Sequence, residues 1–300
     1  MKVVVIGGSG LLGSKLVEML ARSGNDVIAT YNSTKPVTYL RNVKWVRLNL
    51  LERVKVEDLI LKARPDVVVH LAAYTDVDGC ETHKEHAWRV NVEGVKSVVR
   101  ASRVVKAYLL YVSTDYVFDG EKGMYVEDDV PNPINYYGLT KLVAENVVSS
   151  SDILYTIIRT SAIYGVGPGK RNFAVYVVES LSQGREVRAL IDQYVSPTYN
   201  TFLARAICEI IEARPMGVLH VAGPRMSRYE FALRLARIFA LDENLVKPVR
   251  MNEMKWIAKR PRDSSLDTTR LRSVLGIDMG GIDDALRQFA QEYRSALGMH

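Results

Sequence analysis

The chain opens as alternating blocks of continuous apolar runs and helix-spaced apolar residues. Residues 3–6 form a short β-branched run stopped by glycines; Leu12, Leu16, Val17, Leu20 and Ala21 then recur at helical spacing until Gly24. Further apolar runs lie at 27–29, 43–48, 66–71, 108–113, 155–159 and 218–221. They are continuous rather than alternating, the mark of parallel strands covered on both faces. Helical spacing fills the gaps, notably over 84–104 and 135–148, so the strands are joined by right-handed crossovers. Beyond Gly165 the pattern loosens. A loop at 167–169, a helix at 173–181, an irregular polar stretch at 191–199 and a helix at 201–211 precede the seventh run, and from Ser227 the spacing is mostly helical. The prediction is an α/β chain: a Rossmann-type doubly wound parallel sheet from 1–165 plus 200–223, and a smaller, mostly helical substrate-binding lobe from 166–199 plus 224–300.

Composition narrows the class. With 300 residues, 48% of them hydrophobic, the chain can bury a large core. The net charge of +6 is dispersed, which fits a solvated surface or a pocket for anions such as pyrophosphates. No basic run is interleaved with aromatics, so nucleic acid is not an expected partner. Cys80 and Cys208 are too few and too distant for a disulfide framework or metal-ligand spacing, and they fit a reducing cytoplasm. His83 and His86, three apart on a charged helix start, read as solvated surface, so no metal is expected. The apolar start at 1–13 is too short to span a bilayer and lacks a signal-peptide layout, and no later run reaches the roughly 20 residues a membrane helix needs.

Gly7-Gly8-Ser9-Gly10-Leu11-Leu12-Gly13 lies between the first strand and first helix. Missing side chains let the backbone turn sharply and approach a pyrophosphate, which the helix N-terminus then favours through its free N–H groups and dipole. Gly7, Gly10, Leu11, Leu12 and Gly13 are therefore candidate cofactor residues. The second strand ends at Tyr31-Asn32-Ser33, where an NAD site would carry an acid for the ribose 2′-hydroxyl; Asp26 is at the wrong end. Ser33, Thr34 and Lys35 can receive a 2′-phosphate, so NADPH is favoured, with NADH also accommodated. Asn49 and Leu50 end the third strand and would face the adenine.

Tyr137 and Lys141 are four apart in a predicted helix and so share one face. A phenol of pKa near about 10 is a weak acid at neutral pH. A neighbouring ammonium, together with an oxidised nicotinamide, lowers that pKa and lets the phenol act as general acid at a carbonyl. Lys141 can also bind the nicotinamide ribose. Thr114 ends the fifth strand, where open α/β sheets bind ligands, and its hydroxyl can hold the carbonyl oxygen. Asn91, in an unfavourable mid-helix position, either completes a proton relay or is a buried Asn satisfied by backbone. His70 reads as a partly buried polar residue rather than a base.

These residues together resemble the extended short-chain dehydrogenase/reductase family, most closely its dTDP-4-dehydrorhamnose reductases. The likeness spans nearly the whole chain, including 70–78, Ser113-Thr114-Asp115-Tyr116-Val117-Phe118, Tyr137 to Lys141, Arg159-Thr160-Ser161, Asn172-Phe173, 192–198 and Lys259-Arg260-Pro261. The resemblance implies a catalytic set of Thr114, Tyr137 and Lys141. It implies that Leu71, Ala72, Ala73 and Thr75 line the cofactor, and that Thr114, Asp115, Tyr116, Asn172, Gln193 and Arg260 bind a nucleotide sugar. The implied reaction is reduction of the C4 ketone of dTDP-4-dehydro-β-L-rhamnose to dTDP-L-rhamnose, in the cytoplasm, by a chain that can form a homodimer. Leu11 stands where these reductases usually have Gln, and Ala162 where they usually have Trp. A Leu-Leu-Gly loop also occurs in the related regulatory β subunit of methionine adenosyltransferase. A non-catalytic regulatory role, or another epimerase or dehydratase reaction on a nucleotide sugar, therefore stays open.

Overall fold

The structure is a computed structural model that describes residues 1–36, 39–169 and 171–298. Its first part runs β1 (Lys2–Ile6), α1 (Leu11–Arg22), β2 (Asp26–Tyr31), β3 (Val43–Arg47), α2 (Arg53–Ala63), β4 (Val67–His70), α3 (Val77–Thr82), α4 (Lys84–Trp88), α5 (Gly94–Val105), β5 (Tyr108–Thr114), α6 (Tyr136–Ser149) and β6 (Tyr155–Thr160). The rest comprises β7 (Ile163–Tyr164), α7 (Phe173–Ser182), β8 (Val187–Leu190), β9 (Tyr194–Val195), β10 (Thr198–Tyr199), α8 (Asn200–Ala213), β11 (Gly217–His220), β12 (Met226–Ser227), α9 (Arg228–Ile238), β13 (Val246–Val249), α10 (Thr269–Leu275) and α11 (Ile282–Ala296). Among the described residues, seven strands form one sheet in the order β11-β6-β5-β4-β1-β2-β3, every pair parallel. No helix among them is long and apolar enough to cross a membrane.

The two-sided burial of the sheet explains its unbroken apolar runs. Val3 and Val5 pack with Leu16, Val17 and Leu20 of α1 and with Leu203, Ile207 and Ile210 of α8 on one face. Val4 and Ile6 pack with Val56 and Ile60 of α2, Val95 and Val98 of α5 and Ala144 of α6 on the other. Each such side chain, removed from water, contributes about 1.5–3 kcal/mol before chain entropy is counted. The order of strands reverses between β1 and β4, which opens the crevice where α/β sheets hold ligands.

A separate apolar cluster joins α7, α9 and α11 around Tyr164, Phe231, Leu235, Leu286 and Phe289. This part of the chain is less uniformly helical than its sequence suggests. It carries three two-stranded ladders, β7 with β10, β9 with β12 and β8 with β13. The stretch 191–199, read as irregular, holds β9 and β10; ladders two residues long are too short to leave a periodicity. Packing also crosses the expected lobe boundary, because Leu271, Ile277 and Met279 join the α1–α8 face of the sheet.

The helical stretch predicted over 84–104 is interrupted. Residues Arg89–Glu93 form a π-helical turn between α4 and α5. Asn91 lies in that turn, 1% exposed: its Oδ1 accepts from Tyr74 N–H at 2.7 Å, while Nδ2 donates to the Tyr74 carbonyl at 3.1 Å and to Thr140 Oγ1 at 3.0 Å. Of the two readings open for Asn91, the backbone-satisfied one is what the geometry provides.

Candidate active site

The crevice is a cavity of about 810 Å³, floored by the glycine loop and the C-terminal ends of β2, β4, β5 and β6. Its glycine floor is dictated by sterics. Gly7 has φ +87° and lies against the backbone of Ala72; a Cβ there would come within 2.8 Å of Ala72 N. A Cβ at Gly13 would come within 2.2 Å of the Gly7 carbonyl oxygen. Gly10 caps α1 with no side-chain hydrogen bond, so the first-turn N–H groups stay available to an anion.

All the proposed cofactor residues outside the catalytic helix meet here. Gly7, Gly10, Leu11, Leu12 and Gly13, then Tyr31, Asn32 and Ser33, then Asn49 and Leu50, then Leu71, Ala72, Ala73 and Thr75 line one continuous wall, joined by Thr34. The rim at the end of β2 carries hydroxyls and an amide, and the one carboxylate residue among the cavity's described lining residues is Asp115, at the opposite end. This donor set fits a nicotinamide dinucleotide and tolerates a 2′-phosphate.

At the far end lie Thr114, Asp115, Tyr116, Tyr137 and Asn172. Tyr137 sits in the first turn of α6, whose N-cap Asn135 accepts from Gly138 N–H at 2.8 Å. A buried ion pair ties α6 to β6: Arg159 Nη2 donates to Glu145 Oε2 at 2.8 Å, with both side chains about 5% exposed or less. Tyr137 hydrogen-bonds with Thr114 and stands edge-on to Tyr116, their ring centres 6.0 Å apart. Burial drives the phenol well above its ordinary value, with the Thr114 hydrogen bond opposing. In the protein alone desolvation outweighs the Thr114 hydrogen bond; the lowering expected from the sequence belongs to the complex with the oxidised nicotinamide.

Lys141 does not line the cavity. Its Nζ donates to the Val112 carbonyl at 2.8 Å and lies 4.2 Å from the centre of the Tyr111 ring, one layer beneath the wall. Burial pushes the ammonium down to about 7, against the opposing pull of Glu145. Thr114 Oγ1 lies 3.0 Å from Asp115 Oδ1, to which it can donate, and accepts from Tyr116 N–H at 3.2 Å. His70 is more deeply buried than expected, at 1% exposure, and stacks on Tyr111; burial, with Lys141 nearby, holds it down to about 3 and hence neutral.

Three residues expected at the sugar nucleotide have structural partners. Asn172 lines the cavity while capping α7, accepting from Val175 N–H and donating to the Gly165 carbonyl. Gln193 and Arg260 are not part of the cavity wall. Gln193 is buried between the Pro261 carbonyl and Arg228 Nε, and Arg260 pairs with Asp78 Oδ1 at 3.1 Å beside Trp256. The wall instead carries Arg171 and Arg228, which sequence reading passed over. Arg228 begins α9, is held by Gln193 Oε1 at 2.8 Å, and hydrogen-bonds with Tyr116. Its place after the capping-box Ser227 was a legible helix-start signal, but nothing local pointed it at β5.

A doubly wound sheet, a glycine loop opening α1 and a Thr/Tyr pair over a buried Lys define an extended short-chain dehydrogenase/reductase, an oxidoreductase class built on the Rossmann fold. Within that class the chain belongs to the RmlD substrate binding domain family, whose family model matches residues 1–295. It is similar to the crystal structure of a hypothetical dTDP-4-dehydrorhamnose reductase from Sulfolobus tokodaii, 43% identical with a TM-score of 0.84, covering 95% of this chain and 99% of that one. It is also similar to dTDP-4-dehydrorhamnose reductase from Bacillus anthracis in complex with NADP, 30% identical with a TM-score of 0.87, covering 97% and 99%. Among curated relatives, methionine adenosyltransferase 2 subunit beta of Bos taurus is 30% identical over 92% of this chain and 83% of its own length.

Proposed function

We propose that this chain reduces the C4 ketone of dTDP-4-dehydro-β-L-rhamnose with NADPH to give dTDP-L-rhamnose. The observation that carries the reading is the meeting of Thr114 and Tyr137 at one end of a cavity whose other end is the glycine floor. The likeness to an NADP-bound reductase over nearly the full length of both chains supports it.

The residues divide the work. The α1 N-terminus with Gly7, Gly10 and Gly13 receives the pyrophosphate, and Tyr31, Asn32 and Ser33 receive the adenosine ribose and its 2′-phosphate. Leu71 to Thr75 form the wall of the nicotinamide half. The bound dinucleotide supplies a hydride. Tyr137 gives its proton to the ketone oxygen as the C4–H bond forms, and a solvent proton later replaces it. Lys141, beneath the wall, adds positive charge that stabilises the transient phenolate. Arg228 and Arg171 face the cavity and favour the sugar's diphosphate.

The test is NADPH oxidation with the keto sugar generated in situ, with product identification, beside Tyr137→Phe. The expected outcome is dTDP-rhamnose from the wild type, a turnover loss of about 10²-fold or more in the variant, and NADPH affinity kept within about twofold. Unchanged turnover in the variant refutes the assignment. A regulatory role is the second reading, favoured by the methionine adenosyltransferase subunit relative. It predicts intact NADPH binding, no turnover on a panel of keto sugars and a co-purifying enzyme partner. Product formed without added reductant would instead indicate an epimerase or dehydratase.

A further inference from the structure

Tyr137 stands two residues from Asn135, the N-cap of α6. Asn135 is 5% exposed, and its amide serves two partners. Its Oδ1 accepts from Gly138 N–H at 2.8 Å, which closes the cap, and its Nδ2 donates to the Lys259 carbonyl at 3.0 Å. These partners fix the orientation of the amide, since an N–H needs an acceptor and a carbonyl needs a donor. Ser, Thr and Asp cap helices as well. A carboxylate cannot donate, however, and a hydroxyl would have to serve both partners from a single atom. Of these capping residues, Asn alone carries an acceptor and an N–H donor on separate atoms, and here both are in use.

Lys259 belongs to a segment, 256–263, that is bonded to several elements around the cavity. Asp78 of α3 accepts from Ala258 N–H at 2.9 Å and pairs with Arg260. The Pro261 carbonyl accepts from Gln193 Nε2 at 3.3 Å, and Gln193 in turn holds the cavity-lining Arg228 at 2.8 Å. The Arg262 carbonyl accepts from Tyr194 N–H at 2.7 Å, and Asp263 N–H donates to the Gly120 carbonyl at 3.0 Å. The start of α6 is also held from two other sides. Glu81 Oε1 accepts from Tyr136 N–H at 2.7 Å, and a Cβ at Gly138 would come within 2.1 Å of the Tyr116 carbonyl oxygen. Asn135 thus joins the helix that carries the phenol to the segment that, through Gln193, holds the cavity's arginine. We propose that Asn135 is a positioning residue: through Lys259 it sets the first turn of α6, and so the Tyr137 hydroxyl, against the wall that receives the sugar nucleotide. The inference rests on the reductase reading for the role of Tyr137. It makes the distant 256–263 segment part of the alignment of the proton donor.

The test sets Asn135→Asp and Asn135→Ser beside the wild type, in the full chain with NADPH and the keto sugar. Both replacements cap a helix about as well as Asn, so the Gly138 bond survives while the separate donor to Lys259 is lost. The rate of hydride transfer in single turnover should fall about tenfold in each, the size of loss that a displacement of a fraction of an ångström brings. Affinity for NADPH and for the keto sugar should stay within about twofold. A residue that only caps the helix predicts the wild-type rate in both variants, because both keep the cap. Asn135→Ser serves if Asn135→Asp does not fold. An unaltered rate, or a change confined to affinity, would overturn the inference. If the wild type reduces no keto sugar, the functional reading fails, and crystal structures of the wild type and Asn135→Ser decide the positioning separately. A Tyr137 hydroxyl displaced by about 0.5 Å or more supports it, and an unmoved Tyr137 overturns it.

Discussion

A methyl group at Gly13 would press on the Gly7 carbonyl at 2.2 Å, and on the backbone of Gly8 behind it. Neither neighbour is the end of a flexible side chain, so the loop itself must shift. Gly13→Ala is expected to weaken NADPH binding about tenfold or more while leaving the sheet intact, read by fluorescence titration and circular dichroism. Lys141 makes a different prediction. It titrates at about 7 in the folded protein and at 10.5 as an ordinary lysine. Between those values the unfolded chain binds more protons than the folded one, so this residue makes stability rise with pH. Urea unfolding at about pH 7 and about pH 9 should show wild type gaining on Lys141→Met as pH rises. Parallel changes in the two proteins would refute the depressed value.

At the scale of elements, the π-helical turn at Arg89–Glu93 matters beyond its length. By widening the helix it turns Asn91 toward the backbone of Tyr74, in the wall that runs from Leu71 to Thr75. Asn91→Leu keeps the branched shape but strips partners from the part-buried N–H and carbonyl of Tyr74. The expected cost is about 2–3 kcal/mol by denaturant unfolding, with weaker NADPH binding. Full retention of both properties would show that the clamp is not needed. The turn also marks a limit of what apolar spacing conveys. A helix was foreseeable over 84–104 because its buried positions recur, but one extra residue in a turn barely disturbs that recurrence. The only trace was an Asn in an unfavourable place. The parallel strands were legible for the opposite reason: burial on both faces forces runs such as Val3-Val4-Val5-Ile6, which no exposed strand tolerates.

At the scale of the molecule, the parts of the site carried by one local segment were readable and those assembled from afar were not. The glycine loop, Thr114 and Tyr137 each announce themselves within a few residues. Arg228 reaches the cavity through Gln193, and Ser264 reaches Asp115 across 149 positions, contacts that no local pattern encodes. The same long reach holds α1 and α11 together. Glu292 of α11 pairs with Lys15 of α1, accepts from Tyr199 Oη at 2.5 Å, and lies 3.4 Å from Thr201 Oγ1, while Asn200 Nδ2 donates to the Leu11 carbonyl at 3.0 Å. Glu292→Ala should cost about 1–3 kcal/mol, because it leaves Lys15 and the Tyr199 hydroxyl without their acceptor. A thermal unfolding midpoint unchanged from wild type would show the clamp to be superficial.

That clamp imposes an order on biosynthesis. Lys15 leaves the ribosome 277 positions ahead of Glu292. At cellular elongation rates the interval is on the order of tens of seconds. Throughout it, the helix that opens the cofactor floor exists without its counter-charge, and α1 lacks the cover of α8 for most of that time. A ribosome stalled before α11 would thus display a nascent glycine loop whose anchoring helix is still unsealed, and a chain that carries α11 would hold its cofactor more tightly than one released before it.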